Sequence, residues 1–460
     1  MSLRTAGSRH PDSVLLDRKA YLEDQVNATT AVGQLSTGEP IRITFSLADP
    51  PAVSYFCIHS PEISETDYAS EPVVACSEKD MVIIHFSFRF GPRVPSFEPG
   101  LREYFIYRAA GCGKKPPSFK PIPYPGPDIL MRPHILHHES LGLVPFDNGE
   151  FLLVSLSTRM SILDYVLLIF SSKTEQWTTK QVVVQTTPPI ISSQSGVPFE
   201  INKVIVLGEG LLGWVDLWRG ILVCNVLEDS PVVRIIPLPN KPKSNFRWKS
   251  SSYFEDSRSY DDSPHNNSPN LSRDVACNNG LIKLIDMEHL YREEIVTQVQ
   301  NDLASCYDSH LVDDDPRVGV PRTCYVSDGW RLRSYYKHIS SSSEYWREEC
   351  IVHCDDISVY NPRHCLVLPE LRAYNTGKLT LRYLISAFPF LSIHGENVVY
   401  LMSKVKFEGG KAWILGVDLA NKTLEVLEPY SSTRAFFFKP DLCHYMFSKY
   451  LNPAPPPPPA

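Results

Sequence analysis

The sequence predicts an all-β protein, a β-propeller-like ring of about six or seven blades with one inserted helix and a long central loop. Three observations carry that expectation: short aromatic and β-branched runs bounded by turn residues, weak self-similarity at a propeller-like spacing, and scarce helical periodicity.

The strand signals come first. Residues 54–59 (SYFCIH), 80–90 (DMVIIHFSFRF), 103–108 (EYFIYR) and 181–184 (QVVV) are short and rich in aromatic and β-branched side chains. So are 201–207, 213–226, 232–238, 350–359, 398–405 and 412–419. Pro, Gly, Asn, Asp and Ser bound them, residues that supply turn dihedrals or compete with the ladder for backbone hydrogen bonds. The chain holds 39 prolines against 23 glycines, and many prolines sit at strand ends, such as Pro50, Pro51, Pro188, Pro189, Pro237 and Pro239. They read as punctuation of a repetitive β-fold.

Self-similarity orders these strands. An apolar strand, a turn and a strand closing on Trp or Pro recur as YFIYRAAGCGKKPPSFKPIPYP, LLIFSSKTEQWTTKQVVV, ILVCNVLEDSPVVRIIPLP and ILGVDLANKTLEVLEP. Tyr55, Tyr107, Phe170, Cys224 and Val417 mark comparable points, separated by 52, 63, 54 and 193 residues. The last gap reads as about three periods, so about seven sheet units are implied, two of them hidden. Propeller blades repeat every ~40–50 residues, and enlarged loops would stretch that spacing. Two β-sandwich-like domains split in the central loop are the competing architecture. The one helical pattern lies at 286–306, where Tyr291, Ile295, Val299 and Leu303 fall four apart, and predicts the inserted helix.

Three regions follow: a lead-in at 1–40, the propeller at 41–447 with a low-order insertion at 240–273, and a Pro-rich tail at 448–460. The insertion is Ser-, Asn-, Pro- and charge-rich, so it offers little to a core and its deletion is expected to leave unfolding nearly unchanged. Five consecutive prolines in the tail favour polyproline II, the shape that SH3- and WW-type grooves recognise.

Bulk chemistry narrows the partners. With 45 basic and 52 acidic side chains the net charge is −7, which gives no electrostatic footprint for DNA or RNA. One basic cluster, Lys241, Lys243, Arg247 and Lys249, is followed at once by Glu255, Asp256, Asp261 and Asp262. The longest apolar runs, such as YVLLIF at 165–170, are a third of the ~18 residues a membrane helix needs. No apolar signal segment opens the chain, and the eleven cysteines lack paired spacing, so they read as reduced thiols. The expectation is a monomeric protein of the cytoplasm or nucleus, with no membrane or nucleic-acid partner.

Four constellations offer chemistry, and each has a plainer reading. Gly208-Glu209-Gly210-Leu211-Leu212-Gly213 is a formal GxGxxG after a strand, but Trp214 to Val223 reads as strand, turn and strand rather than the helix a pyrophosphate needs. It reads as a hairpin turn. Cys350, His353, Cys354, His364 and Cys365 are zinc-ligand types without paired knuckles, and strand alternation sets Cys350 and Cys354 on one face with His353 away from them. His134, His137 and His138, with Glu139 following, form the densest histidine cluster and read as a polar loop. Asp313-Asp314-Asp315 lacks the glycine and closing glutamate of a calcium loop. No catalytic, cofactor or metal residue is therefore assigned, and no cofactor is expected. Trp214, Asp216, Trp218 and Arg219 form the favoured structural centre. An Asp216–Arg219 pair with stacked indoles would fix blade packing, and Trp218→Ala would then cost ~3–5 kcal/mol.

The stretch GWVDLWRGILVCNV at 213–226 resembles the signature of a plant family known as domain of unknown function 1618. VLLDRKAYLEDQVNATTAV and LADPPAVSYFCIH are similar to that family's N-terminal region. WREECIVHCDDISV, LISAFPFLSIHGENVVYLMSKV and KAWILGVDLANKTLEVL are similar to its C-terminal blocks. The resemblance implies kinship with the kelch-like, F-box-associated propellers, and it implies no catalytic activity. It departs in one respect: strand-like sequence begins by about Ile41, so the helical F-box that would recruit a ubiquitin ligase is missing ahead of it. The favoured function is a non-enzymatic interaction module for an unidentified protein. The alternative is a hydrolytic or glycan-directed enzyme with carboxylates at the channel mouth.

Overall fold

Successive side chains of a strand point to opposite faces, so a strand that is apolar throughout has to be covered on both sides. The middle strands of this chain have that character, and the fold answers it by standing small sheets face to face. The computed structural model describes residues 9–89, 101–109, 116–125, 136–158, 164–185, 199–240, 269–296, 322–341, 345–372, 377, 379–392, 397–405, 411–431 and 442–452. Among these residues there are six sheets.

The first sheet runs β2 (Ala31–Gln34), β3 (Pro40–Ser46), β4 (Val53–His59), β1 (Val14–Asp17), β26 (Leu442–Tyr445). The second is β5 (Tyr68–Glu78), β6 (Met81–Phe88), β7 (Arg102–Arg108), β8 (Ser118–Ile122), and the third is β9 (Leu141–Pro145), β10 (Phe151–Thr158), β11 (Tyr165–Ser171), β12 (Gln176–Gln181). The fourth holds β14 (Lys203–Gly208), β15 (Leu211–Asp216), β16 (Gly220–Asn225) and β17 (Val232–Pro237), with the short β13 (Val183–Val184) added parallel to β17. The fifth is β18 (Arg273–Asn278), β19 (Leu281–Val296), β20 (Arg322–His338), β21 (Arg347–His353), and the sixth is β22 (Ile385–Leu391), β23 (Val398–Lys404), β24 (Lys411–Asp418), β25 (Thr423–Ser431).

Neighbouring sheets touch along β5, β9, β14, β18, β22 and β26, which therefore form an inner ring. The arrangement is a six-bladed β-propeller. Its core is six interblade layers, and alternate residues of one strand serve different layers. On β6, Val82 and Ile84 pack toward the first blade, while Met81 and Ile83 pack toward the third. On β15, Trp214 faces the third blade and Val215 the fifth. On β19, Leu284 faces the fourth blade and Ile285 the sixth.

The first blade closes the ring. β26, the last strand, pairs antiparallel with β1, and β1 pairs parallel with β4. The segment after β1 then reaches the second blade: the Val74 N–H donates to the Arg18 carbonyl and the Ala20 N–H to the Pro72 carbonyl, both at 2.8 Å.

The four self-similar segments map onto the hairpins β7–β8, β11–β12, β16–β17 and β24–β25, the third and fourth strands of their blades. One blade rather than two lies hidden between Cys224 and Val417. Its 16- and 17-residue strands β19 and β20, with 241–268 before them and 297–321 between them, stretch the spacing.

The expected helix at 286–306 is corrected over its described part: residues 286–296 belong to β19, paired with β20. Residues four apart share a strand face as well as a helix face, so a spacing of four fits either period. Residues 297–306 lie outside the described residues. The lead-in at 1–40 contains β1 and β2, and the tail begins in a 3-10 turn, Phe447–Leu451, with Phe447 and Ser448 buried. Residues 269–273 also belong to the body, since Pro269 is buried and Arg273 opens β18. Removing all of 240–273 would take Arg273 away from the buried Asp286, 2.8 Å distant, so the neutrality expected of that deletion does not hold.

Truncation before Leu442 is expected to abolish the single sharp melting transition, because it bares the apolar face of β1 and opens the ring. Calorimetry checks this; a truncated chain melting within a few degrees of the full chain would show that closure is dispensable.

Candidate functional site

The inner strands of six blades cannot meet at the axis, and they enclose a channel of about 680 Å3. Lys203, which opens β14, lines it and places Nζ 2.7 Å from Asp274 Oδ1 of the fifth blade. Asp274 Oδ2 accepts the Leu391 N–H of the sixth blade at 2.9 Å. Arg18, 8% exposed, also lines the channel and donates Nε–H to the Val74 carbonyl at 2.9 Å. Cys76, Cys277, Cys443 and Tyr445 complete this part of the wall. The described cysteines are free thiols.

Burial alone would lower the Lys203 ammonium, but Asp274 and the Cys443 thiol hold it above its ordinary value. Burial, then Cys443, pushes the Tyr445 phenol well up against the opposing pull of Arg18. Burial also raises Glu78, with Lys79 and Lys449 opposing. None of the channel residues Arg18, Lys203 or Asp274 is flagged by a motif. Lys203 and Asp274 stand 71 positions apart and meet only because the blades do.

The sequence constellations resolve differently. Gly208 ends β14, Glu209 and Gly210 form the β14–β15 turn, with Gly210 at φ +69°, and Gly213 lies within β15. The glycines turn a hairpin.

Cys350, Val352 and Cys354 face the same layer between the fifth and sixth blades, as strand alternation predicts, with Ile351 exposed. β21 ends at His353, and in the 3-10 turn Cys354–Asp356 that follows, His353, Cys354 and Asp355 bring ligand atoms within 4.8 Å of one another. Asp355 is already held: Arg382 Nε lies 3.0 Å from Oδ2, Arg382 Nη2 bonds the same oxygen, and Thr380 Oγ1 donates to Oδ1 at 3.1 Å. Burial would raise that carboxyl, but Arg382 and Thr380 keep it below its ordinary value. Burial pushes the Cys354 thiol up to about 11, and Sγ accepts the Trp330 N–H at 3.4 Å. A Cβ on Gly329, at φ +93°, would come within 2.6 Å of that sulfur. These contacts fit a clasp between the fifth and sixth blades rather than a metal centre. His364 is buried and Cys365 half-buried in the short helix Pro362–Val367, apart from this trio.

Of the histidine cluster, His134 lies outside the described residues. His138 stacks on His85 of β6 with centroids 5.5 Å apart, and His85 also lies 4.8 Å from Tyr104. Burial, then the charges of His138 and Arg102, lowers His85 from 6.5 to about 3. Its Nε2 is buried without a hydrogen-bond partner among the described residues. Asp313, Asp314, Asp315, the cluster from Lys241 to Lys249 and the prolines from Pro453 onward also lie outside the described residues.

The Asp216–Arg219 ion pair forms, with Arg219 Nε 2.7 Å from Asp216 Oδ2. The same carboxylate accepts the backbone N–H groups of Trp218, Arg219 and Glu200, each at 3.0 Å. The indoles do not stack. Trp214 is fully buried and donates Nε1–H to the Ser140 carbonyl at 2.9 Å, whereas β15 ends at Asp216 and leaves half-buried Trp218 on a turn, 5.7 Å below the Arg273 guanidinium. Alternation stops where the strand stops.

Residues 214–400 match the model of a family described as "Protein of unknown function (DUF1618)". No curated protein matches the chain by sequence. Among solved structures, dipeptidyl peptidase 4 of Porphyromonas gingivalis is similar at 9% identity and a TM-score of 0.24, over 76% of this chain and 38% of that one. This chain thus spans well under half the length of that peptidase. A glycosyl hydrolase from Bacteroides ovatus is similar at 7% identity and a TM-score of 0.26, over 79% of this chain and 84% of that one.

Two outcomes follow from this geometry. Trp214→Ala is expected to cost ~3–5 kcal/mol in denaturant unfolding and Trp218→Ala under about 2, the reverse of what a Trp218 core would give. His85, whose proton affinity is depressed by folding, contributes stability above pH 6.5 that is lost as pH falls toward about 3. His85→Phe should therefore flatten the fall in melting temperature across that window; an unchanged acid limb would refute the assignment.

Proposed function

We propose that this six-bladed propeller, whose residues 214–400 match the DUF1618 family, is a non-catalytic platform that binds another protein. The observation that carries the reading is the connection from β21 to β22. It exposes Tyr360 at 78%, Leu366 at 82% and Tyr383 at 59%, with Val367 beside Leu366 also open to solvent. Aromatic and aliphatic side chains at that exposure, gathered on one connection, are what a protein partner buries. Leu366 sits on a helix of six residues whose opposite side packs on β25, so a rigid blade displays it.

The competing hydrolase needs carboxylates converging on the channel with a poised proton. Asp274 is instead tied to Lys203 and to a backbone N–H, and Glu78, whose carboxyl burial raises, is set against Lys79 and Lys449, which supports the platform. The net charge of −7 favours a protein over a nucleic acid as the partner. No helix among the described residues is long and apolar enough to cross a membrane. A monomer of the cytoplasm or nucleus, akin to the kelch-like F-box-associated propellers, completes the reading.

Affinity purification with mass spectrometry tests it. Leu366→Asp combined with Tyr360→Ala should remove a co-purifying protein while changing stability by less than about 0.5 kcal/mol per site, as solvent-exposed substitutions do. A double variant that keeps every partner of the parent chain would overturn this surface as the site.

A further inference from the structure

Eleven large apolar side chains stand open to solvent among the described residues, and four of them, Tyr360, Leu366, Val367 and Tyr383, fall on the single connection from β21 to β22. In the helix Pro362–Val367, Arg363 lies three and four positions before Leu366 and Val367, so these three share one side of the turn. His364 and Leu368 take the other side and are buried. The 3-10 turn Pro369–Leu371 that follows buries Leu371 and leaves Glu370 exposed.

Most described charges round this surface are already answered. Arg382 bonds Asp355 and lies 3.2 Å from Asp328, Lys422 lies 3.3 Å from Asp356, and Glu425 accepts the Thr423 hydroxyl. Arg363, Glu370 and Arg372 are exposed and have no ion-pair partner among the described residues. Arg363 stands three positions before Leu366 and Glu370 four after it, so the apolar spot has an unpaired cation on one side and an unpaired anion on the other. Such a strip is complementary to itself turned through half a circle. When two copies approach antiparallel about Leu366 and Val367, Arg363 of one copy meets Glu370 of the other, and a two-fold axis makes the contact reciprocal.

We propose that the chain pairs with a second copy of itself through this strip, in a weak two-fold dimer that covers Leu366, Val367 and Tyr360. The inference rests on the platform reading in taking this connection as the binding surface. The monomer is the form that binds another protein, and the dimer is the form in which the surface is closed to it. Covering the leucine removes apolar area from water, and the two Arg363–Glu370 contacts set the orientation. The contact is small, a six-residue helix with its flanks, and Arg372 stays uncompensated in both copies, so pairing depends on concentration.

Sedimentation velocity of the full chain, from about 1 µM to about 200 µM, tests this. The sedimentation coefficient should rise with concentration toward that of a dimer. Arg363→Glu and Glu370→Arg should each weaken pairing about tenfold or more, because each sets like charges opposite one another at both ends of the strip. An equimolar mixture of these two variants should pair again, since the acidic strip of one then meets the basic strip of the other. Leu366→Asp should leave a monomer. All variants are melted first, and if either charge variant loses its cooperative transition, Leu366→Asp decides alone. A parent chain that stays monomeric throughout, charge variants that pair as the parent does, a mixture that stays apart, or a Leu366→Asp chain that still pairs overturns the dimer. The two readings fail separately. A monomeric parent whose co-purifying protein still depends on Leu366 removes the dimer alone, and a Leu366-dependent dimer without any co-purifying protein removes the platform alone.

Discussion

A strand with two apolar faces must be covered twice, and in this chain only the next blade can cover it. Each of the six interblade layers draws side chains from two sheets, so no blade has a complete core of its own. Closing the ring leaves no such face bare. The channel follows from the same constraint, since the inner strands splay round an axis they cannot fill. Polar anchors reinforce the joints where strands end: Arg273 with Asp286, Arg219 with Asp216, and Arg382 with Asp355. Each pair is partly or wholly shielded from water, so its value lies in both partners being present.

Much of this was legible because it is local. The aromatic and β-branched runs became strands, and the recurring hairpin proved to be the outer half of a blade. The outer hairpin pairs a continuous apolar strand with one that closes on Trp or Pro, so it repeats visibly. What did not show was whatever depended on pairing across long gaps. β1 and β2 look like unpatterned lead-in until β26 and β3 pair with them. The 286–296 stretch fits a helix by spacing, and only β20 makes it a strand.

The site was the least legible part, for a geometric reason. Each blade contributes a short run of residues to the channel, so a functional group assembled there draws on separate stretches and has no single sequence motif. Lys203 stands beside Asp274 with 71 residues between them, while Arg18 comes from the first blade. The compact motifs, by contrast, turned out to serve the frame: GxGxxG turns a hairpin, and His353, Cys354 and Asp355 fasten two blades. Exposure of Leu366 was equally hidden, since a leucine in a six-residue helix looks like core until the helix is seen packed on β25 from its other side.

The pairing of β1 with β26 has a bearing on how the molecule comes into being. His10 donates its backbone N–H to Asn452 Oδ1 across 442 positions of sequence. A ribosome therefore releases the first strand long before it makes the one that completes that blade. Throughout elongation the nascent chain holds an arc of finished middle blades with two greasy ends, and contacts of this sequence separation form slowly. The interval between the two strands is when a chaperone or a neighbouring nascent chain has access to surfaces that the finished ring never shows.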